Sequence, residues 1–220
     1  MIKVIAFDLD GTLINAYPAV EESINFLMRT FGLPIVDGDV IKRTVGLGDR
    51  NLVEAFVGPG RIEQAMPIYR EYHAQALLRG SSFLPGALET LKELKTQGYR
   101  MAIASNRPKR FSMIVMEHLG MAHFFERILC GDEFERGKPY PDILFQLIRE
   151  MAIAKEELLY VGDMDVDVQT GKNAGVAMVA VLTGSCSREE LFSNGARMIL
   201  NGVSELPAFL GKNAGCALKI

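Results

Sequence analysis

Ile2-Lys3-Val4-Ile5-Ala6-Phe7-Asp8-Leu9-Asp10-Gly11-Thr12 runs an apolar segment straight into two carboxylates two residues apart, followed by a Gly-Thr turn. The apolar segment reads as a buried strand. Side chains alternate along a strand, so Asp8 and Asp10 point the same way from its carboxyl end. A carboxylate so placed can act as a nucleophile on phosphorus, splitting one hard displacement into two easier ones, provided cations offset the repulsion between its charge and the phosphate's. Read alone, Asp8 to Thr12 also describe a strand followed by an Asx turn in which Asp10 caps its own backbone.

Further pieces along the chain favour the chemical reading. Ile103-Ala104-Ser105-Asn106 ends a second apolar run with a hydroxyl, Lys138 sits in Gly137-Lys138-Pro139, and Gly162-Asp163-Met164-Asp165-Val166-Asp167 follows a third run ending at Val161. Each follows or neighbours an expected strand end. In an open parallel sheet those ends converge on one crevice, the usual ligand position of that architecture.

With its motifs Asp8-Leu9-Asp10-Gly11-Thr12, Ser105-Asn106, Lys138 and Gly162-Asp163 with Asp167, in that order, the chain resembles the haloacid dehalogenase superfamily of phosphatases. The stretch 13–46, with Ala16-Tyr17-Pro18 and Val45-Gly46-Leu47, looks most like the phosphoglycolate phosphatase branch. The resemblance implies an α/β fold: a doubly wound, Rossmann-like parallel sheet from residues 1–14 and 84–220, with residues 15–83 inserted as a helical cap. It implies Mg²⁺ as cofactor, held by Asp8, by the backbone carbonyl of Asp10 and by Asp163, with Asp167 orienting a metal-bound water or Lys138. Asp8 is then the nucleophile, Asp10 the general acid and base, and Lys138 the cation that balances the carboxylates and binds the phosphoryl group. Gly11, Thr12, Ser105, Asn106 and Arg50 are expected at the substrate. Three departures from the family pattern stand out: Met164 in place of Ser or Thr, Gly171 in place of Ala, and Arg107 in place of Lys. Gly171 should cost its helix about 1 kcal/mol relative to Ala.

Composition is consistent with this and excludes other classes. At 220 residues, 49% hydrophobic and 23% charged, the chain suffices for one substantial core with an inserted subdomain. A net charge of -3 gives no general attraction for nucleic acid or an anionic membrane, so the expected ligand is a small phosphorylated metabolite. Cys130, Cys186 and Cys216 are widely spaced and odd in number, which suggests reduced thiols in a cytoplasm. The first apolar run is too short for a secretory signal, and no run approaches the ~18 residues of a membrane span. A monomer and a homodimer are both compatible with the pattern.

Periodicity assigns helices to residues 17–31, 62–78, 85–97, 109–119, 141–151 and 166–174, and strands to 99–104, 128–130, 158–161 and 177–181. A strand and helix follow to Leu210, and the tail 211–220 shows no periodicity. Alternating strands and helices imply parallel pairing. In Thr44-Val45-Gly46-Leu47-Gly48-Asp49-Arg50, two glycines make a turn whose arginine either meets an anionic substrate group or lies on the surface. His73, His118 and His123 lack metal-ligand spacing, and His73 reads as part of a helix face; Arg107, Lys109 and Arg110, at a helix start, read as solvated ahead of a second reading in which they steer phosphate. Two further functions use the same pieces: a phosphosugar mutase, whose first-hinge His is absent from 17–20, and a non-catalytic regulator that binds a phosphorylated ligand. A dehalogenase has little need for Asp163 and its neighbours.

Overall fold

A computed structural model describes residues 1–212; Cys216 and most of the unpatterned tail lie outside them. In chain order the elements are β1 (Val4–Phe7), β2 (Ile14–Asn15), α1 (Tyr17–Thr30), α2 (Gly38–Thr44), α3 (Asp49–Val57), α4 (Ile62–Gly80) and β3 (Ser82–Phe83). After them come α5 (Ala87–Thr96), β4 (Arg100–Ser105), α6 (Lys109–His118), β5 (Arg127–Cys130), α7 (Asp142–Glu150), β6 (Leu158–Gly162), α8 (Asp165–Ala174), β7 (Ala177–Val181), α9 (Arg188–Ser193), β8 (Ile199–Leu200) and α10 (Leu206–Lys212). Periodicity missed α2, α3 and α9 because each is short, with one to three buried residues.

Six strands form one parallel sheet in the order β5-β4-β1-β6-β7-β8. The chain leaves β1 toward β4 and β5 on one side, then returns to build β6, β7 and β8 on the other, so the strand order reverses beside β1. That reversal opens the crevice in which this architecture holds ligands. Alternation along the strands explains the layers: Ile5, Phe7, Met101, Ile103, Leu159, Val161 and Val179 enter a core with α5, α6 and α10. Their neighbours Val4, Ala6, Ala102, Ala104, Leu158, Tyr160 and Met178 face α7, α8 and α9. Every β1 residue is therefore buried on one face or the other, which is why the run reads as continuously apolar. The α/β doubly wound expectation holds.

Helices α1 to α4 lie between β1 and β4 in sequence and bury a cluster of their own, around Ile24, Leu27, Val53, Ile62 and Tyr69. Their amphipathic spacing demands such a partner face. The segments entering and leaving this insertion pair antiparallel as β2 and β3, Ile14 opposite Phe83 and Asn15 opposite Ser82.

Gly171 is not merely a weakened helix position. A Cβ there would stand 3.0 Å from Met178 Cβ, so the bare backbone lets α8 lie close against β7. No described helix is long and apolar enough to cross a membrane.

Candidate active site

The carboxyl ends of β1, β4 and β6 deliver the site. Asp8 follows β1 directly, its N–H donating to Val161 O at 2.8 Å, and Ser105 is the last residue of β4. Asp163 follows β6, and Lys138 reaches in from the segment between β5 and α7. All four are buried.

Lys138 Nζ donates to Asp8 Oδ1 at 2.8 Å, to Asp167 Oδ1 at 2.6 Å and to Tyr160 OH at 3.0 Å. Burial pulls the lysine's pKa down, but Asp167 and Asp8 outweigh it and the net shift is upward, so the ammonium stays charged. Burial raises Asp8 to about 6; Lys138 opposes the rise and Asp167 adds to it. Asp167 is fully engaged, since Oδ1 also accepts from Tyr160 OH at 2.7 Å and Oδ2 accepts the N–H groups of Asp163 and Met164 at 3.2 and 3.1 Å.

Asp163 is different. Thr12 Oγ1 donates to its Oδ1 at 2.8 Å, while Oδ2 is buried with no partner. Burial, then Asp167 and Asp8, push its pKa well above the carboxylate range. One oxygen each from Asp8, Asp163 and Asp167 falls within 4.8 Å of the others. An orphaned carboxylate oxygen in an all-oxygen donor set fits a hard divalent cation such as Mg²⁺. The backbone is shaped around this carboxylate. A Cβ on Gly11 (φ +77°) would approach Asp163 Oδ2 to 2.4 Å, and one on Gly184 to 1.6 Å.

Above Asp8 lies a cavity of about 50 Å³ walled by Asp10, Ser105, Asn106, Arg107 and Lys138 from the sheet side, and by Val45, Gly46, Asp49, Leu52, Tyr69 and His73 from the helical insertion. One water needs roughly 10–15 Å³ by this measure, so the chamber admits only a small ligand.

Several expected substrate contacts are otherwise employed. Arg50 lies on the surface, pairs with Glu63 at 2.5 Å and does not line the cavity; α3 begins there with Asp49 turned inward and Arg50 outward. Thr12 spends its hydroxyl on Asp163, and the Gly11 N–H donates to Ile14 O at 2.9 Å, so both shape the carboxylate site rather than the cavity wall. The Asn106 amide is also committed: Nδ2 donates to Gly46 O at 2.8 Å and Lys138 O at 3.0 Å, and Oδ1 accepts the Lys138 N–H at 2.8 Å. Asn106 thereby ties the insertion to the lysine segment across the cavity.

Arg107 overturns its reading as a solvated charge. It is buried, and its fork donates from Nε to Asp10 Oδ2 at 2.7 Å and from Nη2 to Asp10 Oδ1 at 2.6 Å. Its Nη1 faces His73 Nε2 at 3.5 Å. His73, Tyr69 and Asp49 were likewise not singled out for the site. The available signals were the i, i+4 spacing of Tyr69 and His73, which places both on one face of α4 where their rings stack at 4.8 Å, and the position of Arg107 just past a strand end.

The sequence pattern of the haloacid dehalogenase-like hydrolase family matches residues 5–181. A phosphoglycolate phosphatase from Rhodospirillum rubrum is 32% identical over 222 residues, spanning 96% of this chain and 92% of that one. Another from Vibrio cholerae is 33% identical over 184 residues, 79% of this chain and 81% of its own. Among solved structures, one described as a predicted phosphoglycolate phosphatase from Haemophilus somnus superposes with a TM-score of 0.90 at 25% identity, over 94% of this chain and 97% of that one. The chain belongs to the haloacid dehalogenase-like hydrolases. Within that family it is a phosphoric monoester hydrolase of the phosphoglycolate phosphatase-like branch.

Proposed function

We propose that the protein hydrolyses small phosphomonoesters through an aspartyl phosphate on Asp8, with Mg²⁺ as cofactor and phosphoglycolate among its candidate substrates. The observation that carries this is the pairing of Asp8 with the buried Lys138 ammonium beside the unpartnered Oδ2 of Asp163. Asp8, Asp163 and the backbone carbonyl of Asp10 would hold the cation, which when bound neutralises charge on the carboxylates and on the transferring phosphoryl group. Asp167, its oxygens already taken, positions Lys138 and the Asp163 backbone.

In the first half-reaction an Asp8 oxygen bonds to phosphorus as the ester bond to the leaving group breaks, and Asp10, protonated once one of its two Arg107 contacts opens, gives that proton to the departing oxygen. In the second, water attacks the same phosphorus, passes a proton to Asp10, and frees Asp8 and inorganic phosphate. Lys138 and the Ser105 hydroxyl stabilise the charge that spreads over the phosphoryl oxygens. Arg107 fixes the direction of the Asp10 carboxylate through its two-point contact. Residues 15–83 act as a cap that encloses the chamber, hinged at β2 and β3, and the Asn106–Gly46 bond latches it. The names of the relatives support phosphoglycolate as the first ester to try.

Phosphate release from a panel of small esters, with Mg²⁺ and with chelator, tests the reading. Turnover that needs Mg²⁺ and disappears in Asp8→Asn is expected; turnover that survives this substitution rules the mechanism out.

A further inference from the structure

Tyr17 opens α1, and its hydroxyl is buried with no hydrogen-bond partner. The turn after Asp10 carries it there: the Gly11 N–H donates to Ile14 O at 2.9 Å, the N–H groups of Leu13 and Ile14 both donate to Leu9 O at 3.0 Å, and the chain comes back past Gly11 as α1 begins. Asp163 Oδ2 is likewise buried without a partner, and the two orphans border one point. A Cβ on Gly11 would come within 2.4 Å of Asp163 Oδ2 and 2.7 Å of Tyr17 OH. A phenol and a carboxylate that could satisfy each other directly are instead left unpaired around a residue with no side chain. Buried polar groups are nearly always paired, so a third polar group belongs with these two. We propose that Tyr17 is a positioning residue of the cation site: its hydroxyl hydrogen-bonds water that Mg²⁺ carries beside Asp163, so that loading the metal also fastens α1, and with it the helical insertion, to the sheet. The inference rests on Mg²⁺ as cofactor of the phosphatase reading and adds to that site a residue from the insertion.

The chemistry of the group fits a place behind the ligands and not among them. Mg²⁺ takes carboxylates and carbonyls and keeps several of its waters, and a neutral phenol does not displace them. Burial, then the charges of Asp163, Asp10 and Asp8, push the Tyr17 pKa upward, so the side chain stays a hydroxyl and does not become a phenolate. Water polarised by a dication is a strong donor, and the phenol oxygen accepts from it. Lys42 Nζ of α2 lies over the Tyr17 ring, 4.8 Å from its centroid, a contact of the ring face that leaves the hydroxyl uncommitted. Further along α1, Val20, Ile24 and Leu27 are buried in the insertion's own cluster, so a bond made at Tyr17 acts on the insertion as a packed unit. It differs from the Asn106–Gly46 bond, which joins the same two parts with no metal involved.

Tyr17→Phe removes the hydroxyl and keeps the ring. Calorimetric titration of the full chain with Mg²⁺, no ester being present, should give a dissociation constant raised roughly tenfold in the variant, the cost expected when a group supporting metal ligands is lost. The melting temperature without metal should be unchanged or higher, because the native chain buries that hydroxyl unpaired. With six tyrosines and no tryptophan in the chain, Mg²⁺ should also perturb a tyrosine near-ultraviolet band in the native protein that the variant lacks. Equal Mg²⁺ affinity in the two chains overturns the proposal. So does a variant that melts lower by the same amount with and without metal, the mark of a packing role. A native chain that binds no Mg²⁺ defeats the metal reading of the site together with this inference. Phosphatase turnover that needs Mg²⁺ and Asp8, alongside unchanged affinity in Tyr17→Phe, defeats this inference alone.

Discussion

Lys138 Nζ stands 2.8 Å from Asp8 Oδ1, both side chains withdrawn from solvent, and the same ammonium reaches Asp167 at 2.6 Å. One cation thus holds two buried carboxylates. Its removal strands them both. Lys138→Met should cost about 3–5 kcal/mol of folding stability, the usual penalty for breaking a buried pair from one side. Urea denaturation measures it. Turnover should vanish as well. Adding Asp167→Asn to that variant should restore part of the stability and none of the activity, because it removes a stranded charge without replacing the ammonium at Asp8.

The proposed metal and pH would act on the same cluster. Without a cation, Asp8 ionises in the folded state at about 6 against 3.8 when unfolded, and Asp163 is displaced the same way. A raised carboxyl pKa means that the folded state binds more protons between these values, so this group's contribution to stability is full below pH 3.8 and is lost as pH rises through 6. Chelator-treated protein should therefore melt at lower temperature at pH 7 than at pH 5, with Mg²⁺ recovering more at pH 7. Melting temperatures across that range, with and without Mg²⁺, check the sign; an equal effect of Mg²⁺ at both would refute it.

Gly184 has no left-handed backbone to defend, yet a Cβ on it would lie 1.6 Å from Asp163 Oδ2. Gly184→Ala should therefore act on the carboxylate and spare the local backbone. The Mg²⁺ concentration for half-maximal activity should rise about 10–100-fold, the range seen when the surroundings of metal ligands are disturbed. A Mg²⁺ titration of activity reads the change.

Asn106 makes three hydrogen bonds, two of them to the Lys138 backbone and one to Gly46 in the helical insertion. Asn106→Ala should lower stability by about 1–3 kcal/mol through the partners it leaves unpaired. It should also raise KM more than it lowers kcat, since the lost bonds join the two walls of the cavity. Asn106→Asp keeps the acceptor for the Lys138 N–H but loses the donor to both Gly46 O and Lys138 O and turns a carboxylate oxygen onto them, so it should raise KM as Asn106→Ala does with no smaller loss of stability. Steady-state kinetics with thermal melts checks both.

The sheet and the polar residues at its strand ends were legible because both depend on local pattern. Each central strand is a short apolar run, and Asp8, Ser105 and Asp163 sit where those runs stop, so alternation and strand ends placed them without any knowledge of long-range contacts. The other half of the cavity was not legible. Arg107 and Asp49 are charged residues at the edges of helices, where a solvated role is the ordinary one; Arg107 leaves water through its contacts with Asp10 and His73, and both residues line the cavity. Arg50 shows the converse: it adjoins Asp49 in sequence, but one residue further round the first turn of α3 turns it outward to Glu63. Thr12 was read as a substrate contact, and its hydroxyl goes to Asp163, 151 residues away, a destination that no local pattern gives.

The central claim is a phosphoryl group carried on Asp8. Acid quenching during turnover, borohydride reduction of any acyl phosphate and peptide mapping by mass spectrometry locate it directly, since reduction converts a phosphorylated aspartate to homoserine. The account predicts homoserine at position 8, dependent on substrate and Mg²⁺, with Asp10 and Asp163 unmodified. Homoserine at another aspartate, or steady turnover with none formed under conditions that trap the intermediate, would contradict it.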